Sequence, residues 1–298
     1  MKTIPPTGRA TRRFGWAITG LAVLSTMLAV AGAAPATNAL SPQPAVIAGV
    51  TELPLHVGRL FVPTNCRPAG SRVELLVHFH GHLPLMVENF LKAGRPGALL
   101  VLNFPGLSAA YAKPFQDTNE FSRVLAETQD RLTKHFGRNT ELGPLVVSSF
   151  SAGFGAVREI LQQPAAEAIT TLVLADTLYA GYVTNDGKRA PDPAHLKDFV
   201  RFARRAADGR ATMIVTHSQL VPGSYASTVE TAEVLIAAAG TTRRKTSDLD
   251  STSMTLESVA DRGGFHLRSY EGTTGQDHMN HLRQIHAAWQ LVPRERKP

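Results

Sequence analysis

The chain has 298 residues, of which 43% are hydrophobic and 18% charged, so it can bury the core of a large globular domain and is too apolar to be disordered. Its formal net charge is +7, but Lys2, Arg9, Arg12 and Arg13 carry four of those charges, and no acidic residue falls within the first 36. The remainder carries +3, which gives no electrostatic case for a nucleic-acid partner, and the single cysteine, Cys66, excludes an internal disulfide.

The basic start is followed by "FGWAITGLAVLSTMLAVAGAA" (14–34) and by the small residues Ala34 and Ala36. This pattern predicts an export signal over 1–36, and hence a periplasmic or extracellular protein with no membrane attachment after cleavage. A retained anchor is the competing reading, because the apolar run is nearly long enough to span a bilayer. Residues 37–49, rich in Pro and Ala, read as a linker, and 50–298 read as one domain.

Within that domain, strands are expected at 72–81, 97–106, 142–150, 169–176, 211–218 and 263–272. Helices are expected at 119–137, 152–163, 194–209, 227–240 and 278–292, the first and fourth stopped by Gly137 and Gly240. Continuously apolar strands alternating with helices predict an α/β fold with a mostly parallel central sheet and helices on both faces. The basic face of 194–209 reads as a solvated surface. Residues 241–258 read as a polar stretch, and 180–195 as a short polar segment able to form a small lid.

"LVVSSFSAGFGAV" (145–157) turns from an apolar strand into a run of very small residues. A sharp strand-to-helix turn strains the residue at its tip and pushes that side chain clear of the sheet. Ser151 occupies the tip, with Ser149 and Gly153 as its small neighbours; the competing reading is a strand end followed by a serine N-cap. A nucleophilic serine also needs a base, an acid for the base, and donors for an oxyanion. His278, after the last strand, is the candidate base, with His281 as its competitor. Asp176, at the end of "TLVLAD", is the candidate acid, ahead of Asp277, Glu230 and Asp186. The amides of Ala152 and His82, with Gly81, are the candidate oxyanion donors.

With Ser149-Phe150-Ser151-Ala152-Gly153, His80-Gly81, Asp176 and His278 in this order, the chain resembles the α/β-hydrolase superfamily over about residues 50–295. The resemblance implies a serine-hydrolase mechanism with an acyl-enzyme on Ser151, His278 as base and then acid, and Asp176 orienting it. Two departures stand out. Ser149 replaces the first glycine of the elbow, and "THSQLVPG" (216–223) has Gln219 near the place where many members carry the acid. His217 and Gln219 are then expected to point toward the site without an assigned role.

Alternation of His78, His80 and His82 raises a metal hydrolase as a rival, but no carboxylate completes a familiar ligand spacing, and no metal or cofactor is expected. A non-catalytic binding protein on the same fold is a second rival. His80, Tyr111, Phe115 and His217 are the candidate substrate contacts. The expected activity is esterase action on a small-molecule or polymer-linked ester, with amidase or peptidase activity and acyl transfer as alternatives. The oligomeric state is left open.

Overall fold

The computed structural model describes residues 47–246 and 252–294. The expected export signal and most of the expected linker lie outside the described residues.

An antiparallel hairpin of β1 (Val50–Pro54) and β2 (Arg59–Pro63) comes first. Next are β3 (Arg72–Phe79), α1 (Leu83–Ala93), β4 (Ala98–Leu102), α2 (Ser108–Phe115), α3 (Glu120–Phe136) and β5 (Glu141–Phe150). Helix α4 (Phe154–Ile160), β6 (Ile169–Ala175), the hairpin β7 (Tyr182–Asn185) and β8 (Lys188–Pro191), α5 (Pro193–Ala207), β9 (Thr212–His217) and α6 (Thr228–Ala239) follow. The chain continues through β10 (Arg244–Lys245), β11 (Leu256–Arg262), β12 (Phe265–Tyr270), α7 (Gly275–Arg283) and α8 (Ile285–Gln290).

Ten strands form one sheet in the order β1-β2-β4-β3-β5-β6-β9-β12-β11-β10. The block from β4 to β12 is parallel throughout, and the outer strands at each edge are antiparallel. Alternation along each strand divides the core in two. Leu75, Val77, Phe79, Val147, Leu172 and Leu174 meet the buried residues of α2 to α6 on one face. Leu76, Val146, Val173 and Ile214 meet α1 and α8 on the other, around Phe90 and Trp289. Both faces being covered is why the central strands carry runs of consecutive apolar residues rather than a strict alternation.

Three segments differ from the sequence reading or gain definition. The polar stretch 241–258 contains β10 and the start of β11, which extend the sheet. Residues 180–195 hold the β7–β8 hairpin, which forms a sheet of its own. The closing helix begins at Gly275 and breaks at Gln284 into α7 and α8, so His278 lies inside a helix rather than at its entry.

Candidate active site

Four non-glycine residues among those described have positive φ, and three follow neighbouring strands of the parallel block. They are His80 after β3 (74°), Ser151 after β5 (46°) and Asp176 after β6 (42°). Left-handed backbone costs such a residue on the order of 1–2 kcal/mol, so it persists only where the surroundings over-determine it.

Ser151 begins a 3₁₀ turn over Ser151–Gly153 that leads into α4. A Cβ at Gly153 would lie 2.4 Å from Phe79 O, so the turn folds back against β3 only with glycine there. At Gly155 a Cβ would lie 2.0 Å from Ser108 O, so this glycine serves the approach of α2 rather than of a strand. Ser149 sits opposite Phe79 in the β3–β5 register and is fully buried, its hydroxyl without a partner. A hydroxymethyl group therefore fits where the usual elbow has glycine. Thr177 Oγ1 donates to the Ser151 carbonyl (2.7 Å), tying the ends of β5 and β6 together.

The Asp176 carboxylate, 1% exposed, accepts four hydrogen bonds. They come from Thr228 Oγ1 (2.6 Å), Ser218 Oγ (2.7 Å), His278 Nδ1 (2.9 Å) and Ser218 N (3.2 Å). Burial alone would raise its pKa, but the hydrogen bonds from His278 and the Thr228 hydroxyl, with the nearby imidazoles, outweigh it and hold the carboxyl well below the usual range. Because His278 Nδ1 carries the donated hydrogen, Nε2 of the neutral ring is the acceptor. The His278 ring stacks on Phe150, the residue before Ser151, at 4.5 Å between centroids, and Phe150 also stacks on His80 at 5.9 Å.

The other acids and the competing histidine are engaged elsewhere. Glu230 closes the capping box of α6 with Ser227 and accepts from the Tyr182 hydroxyl. Asp277 closes the capping box of α7 with Thr274, and Asp186 lies between β7 and β8. His281 is buried, with Nδ1 hydrogen-bonded to Thr216 Oγ1 (2.8 Å), and desolvation lowers its pKa.

Several expected contacts are corrected. The Gly81 amide donates to Asn103 Oδ1 (2.9 Å), so it cannot also meet an oxyanion; a Cβ there would collide with Met86. His82, by contrast, is exposed at the N-cap of α1 and stays a candidate donor. His217 is fully buried: Nδ1 donates to Ser218 O (2.9 Å) and Nε2 accepts from Arg243 (2.9 Å), so it cannot contact a substrate. The Gln219 side-chain amide donates to Glu257, Ser269 and Tyr270 O, turning toward β11 and β12 rather than toward the site. Phe115 is buried among Phe79, Phe104 and Phe121. Tyr111 is buried beneath His80, its hydroxyl hydrogen-bonded to His80 Nδ1 (2.6 Å), so of the four candidate substrate contacts only His80 retains partial exposure.

On the opposite face a polar thread runs through the core. Trp289 Nε1 donates to Ser148 Oγ (2.9 Å), Ser148 donates to His78 Nδ1 (3.0 Å), and His78 Nε2 donates to His80 O (3.3 Å). Burial lowers the His78 pKa to about 3, so the ring is a neutral connector that holds the backbone before Gly81 and His82.

Ser151 and Ala152 open on a cavity of about 330 Å³. Its walls include Leu107, Phe154, Arg158, Tyr179, His195 and Tyr225, none of which the sequence reading singled out. The β7–β8 hairpin is flanked by two lining residues, Gly181 and His195, whose backbone amide and Nδ1 are hydrogen-bonded (3.0 Å). Among the described residues no group of three or more His, Cys, Asp or Glu side chains is placed to hold a metal ion. Nor, among them, is any helix long and apolar enough to cross a membrane.

The strand order, the strained turn after β5 and the crossovers on both faces define an α/β-hydrolase fold. No protein-family model and no curated protein matches the chain. Among solved structures it is similar to a poly(3-hydroxybutyrate) depolymerase from Bordetella parapertussis, at 13% identity and a TM-score of 0.46, over 81% of this chain and 89% of that one. It is also similar to the feruloyl esterase module from Clostridium thermocellum, at 10% identity and a TM-score of 0.45, over 82% and 87% of the two chains. For the acetyl xylan esterase from Aspergillus awamori the identity is 11% and the TM-score 0.43, over 78% and 98%.

Proposed function

We propose that the protein is a serine hydrolase that cleaves a carboxylic ester through an acyl-enzyme on Ser151. The observation that carries this reading is the bond from His278 Nδ1 to the buried Asp176, made beside a serine held at positive φ. Asp176 stays ionised and fixes the tautomer of His278, leaving Nε2 to take the Ser151 proton as Oγ attacks the ester carbonyl. The amides of Ala152 and His82 receive the oxyanion. Collapse of the tetrahedral intermediate expels the alcohol, which takes its proton from His278. A water molecule, deprotonated by His278, then attacks the acyl-enzyme and releases the carboxylic acid and Ser151.

The substrate is a small-molecule or polymer-linked ester. Residues 50–298 form the catalytic domain, 37–49 its linker, and 1–36 an export signal, so the enzyme acts outside the cytoplasm and free of the membrane. The N-terminal pattern of the sequence supports this placement.

The test is an acyl chain-length series of chromogenic esters on wild type, Ser151→Ala and His278→Ala, with fluorophosphonate labelling of each. Each variant should lose on the order of 10³-fold or more of kcat, and only Ser151→Ala should lose the label completely. Full activity in Ser151→Ala would refute the reading.

A further inference from the structure

The cavity beside Ser151 has predominantly apolar walls, supplied by Leu107, Phe154, Tyr179 and Tyr225. Leu107 and Tyr225 are also two of the exposed large hydrophobic residues, at 81% and 43%. Against that background Arg158 is the one permanently charged side chain in the lining, and no carboxylate lines the cavity.

Arg158 lies one helical turn after Phe154, with its guanidinium carbon 5.3 Å from the centre of the Phe154 ring. Among the described residues its guanidinium makes no hydrogen bond or ion pair, whereas Arg95, Arg123, Arg201, Arg243 and Arg268 each meet a carboxylate. A half-buried cation without a counter-ion is left free to pair with an anion that enters the cavity. The planar guanidinium fits a carboxylate through two parallel N–H bonds. His195 adds a second donor, because its Nδ1 accepts from the Gly181 amide and the neutral ring then carries its hydrogen on Nε2. Asp192 lies 3.8 Å from that nitrogen and does not line the cavity.

We propose that Arg158 selects esters that carry a free carboxylate on the part of the substrate seated in this cavity, an inference that rests on Ser151 being the nucleophile. The apolar walls hold the carbon skeleton between the reacting carbonyl and the charged end. The substrate class is thus an acidic amphiphilic ester, such as a monoester of a dicarboxylic acid or an acylated hydroxy-acid.

Two matched pairs test it. One is the 4-nitrophenyl monoester of glutaric acid against its methyl ester, with the charge on the acyl side. The other is 4-acetoxybenzoate against its methyl ester, with the charge on the alcohol side. After subtraction of uncatalysed hydrolysis, kcat/KM should favour the charged member of one pair by about tenfold or more. Arg158→Gln should abolish that ratio, Arg158→Lys should keep part of it, and 0.5 M salt should reduce it in wild type. A ratio near one in wild type that Arg158→Gln leaves unchanged would overturn the proposal while leaving the serine mechanism intact. Turnover of no ester at all would instead count against the serine mechanism. Calorimetry of monomethyl glutarate on Ser151→Ala protein then decides separately, because binding lost in Ser151→Ala/Arg158→Gln supports the role of Arg158 and equal binding in both refutes it.

Discussion

The ends of β6 and β9 are neighbours in the sheet and offer similar polar residues, yet they are put to different uses. At the end of β6 the backbone is strained, and one carboxylate collects four donors. At the end of β9 none of His217, Ser218 and Gln219 has positive φ, and each side chain is consumed in support. His217 is clamped between Arg243 and the Ser218 carbonyl, Ser218 gives two bonds to Asp176, and Gln219 secures β11 and β12. A candidate acid is thus recognised less by its type than by the backbone strain and the donors that converge on it. The second strand end is a scaffold for the first.

That contrast can be broken at its strongest point. Asp176→Asn should lower kcat on a chromogenic ester by about 10³-fold or more while circular dichroism stays native, because asparagine also tolerates left-handed backbone. Adding Gln219→Asp to that variant should restore nothing, since residue 219 is turned toward β11 and β12. A tenfold recovery would show that the two strand ends are interchangeable. Smaller in effect, Ser218→Ala should cost about tenfold in kcat by removing one of two Ser218 donors to the carboxylate.

The two ends should also separate by pH in urea unfolding. Burial lowers the His217 pKa to about 4, against an ordinary value of 6.5. As pH falls below 6.5 the unfolded chain takes up the proton first, so stability drops toward pH 4, by up to about 1.4 kcal/mol per pH unit for this group. Asp176 is depressed from 3.8, so its contribution is fully present above that value and is lost only as pH falls further. His217→Gln should make the first window shallower, the buried His78 still contributing there, and leave the second. Smallest of all, Gln219→Ala should cost about 1 kcal/mol of stability and change kcat by less than about twofold. A large kcat loss there would place the end of β9 in the chemistry.

The parallel sheet was legible because burial on both faces leaves uninterrupted apolar runs, and α3 and α6 end where Gly137 and Gly240 take left-handed φ of 63° and 65°. Helix α1 was missed because Pro84, one residue after its first position Leu83, reads as a loop, although proline is at home in a first helical turn. Strand β11 was missed because it lies next to the sheet edge, where three of its seven residues are exposed. Ser151 and Asp176 could be picked out because each follows a recognisable strand, and His278 because it lies in the first helix after the last strand. The donors to Asp176 could not, since Ser218 and Thr228 lie 42 and 52 residues away in sequence. The same distance problem hid the bond between Gly81 and Asn103, 22 residues apart, which removes Gly81 from the oxyanion donors. Whether an aromatic lines a cavity or fills a core depends on packing that no local pattern encodes, as Phe115 and Tyr179 show in opposite directions.

The thread from Trp289 to His80 also gives the protein an optical handle. The chain has two tryptophans, Trp16 and Trp289, so a form beginning after residue 36 contains a single indole. That indole is fully buried, hydrogen-bonded to Ser148, and 5.5 Å edge-on from an imidazole that remains uncharged down to about pH 3. Its emission should therefore be blue-shifted and steady across neutral pH. A red shift would mark the moment α8 leaves the sheet, which makes unlabelled fluorescence a readout of the support beneath the loop after β3.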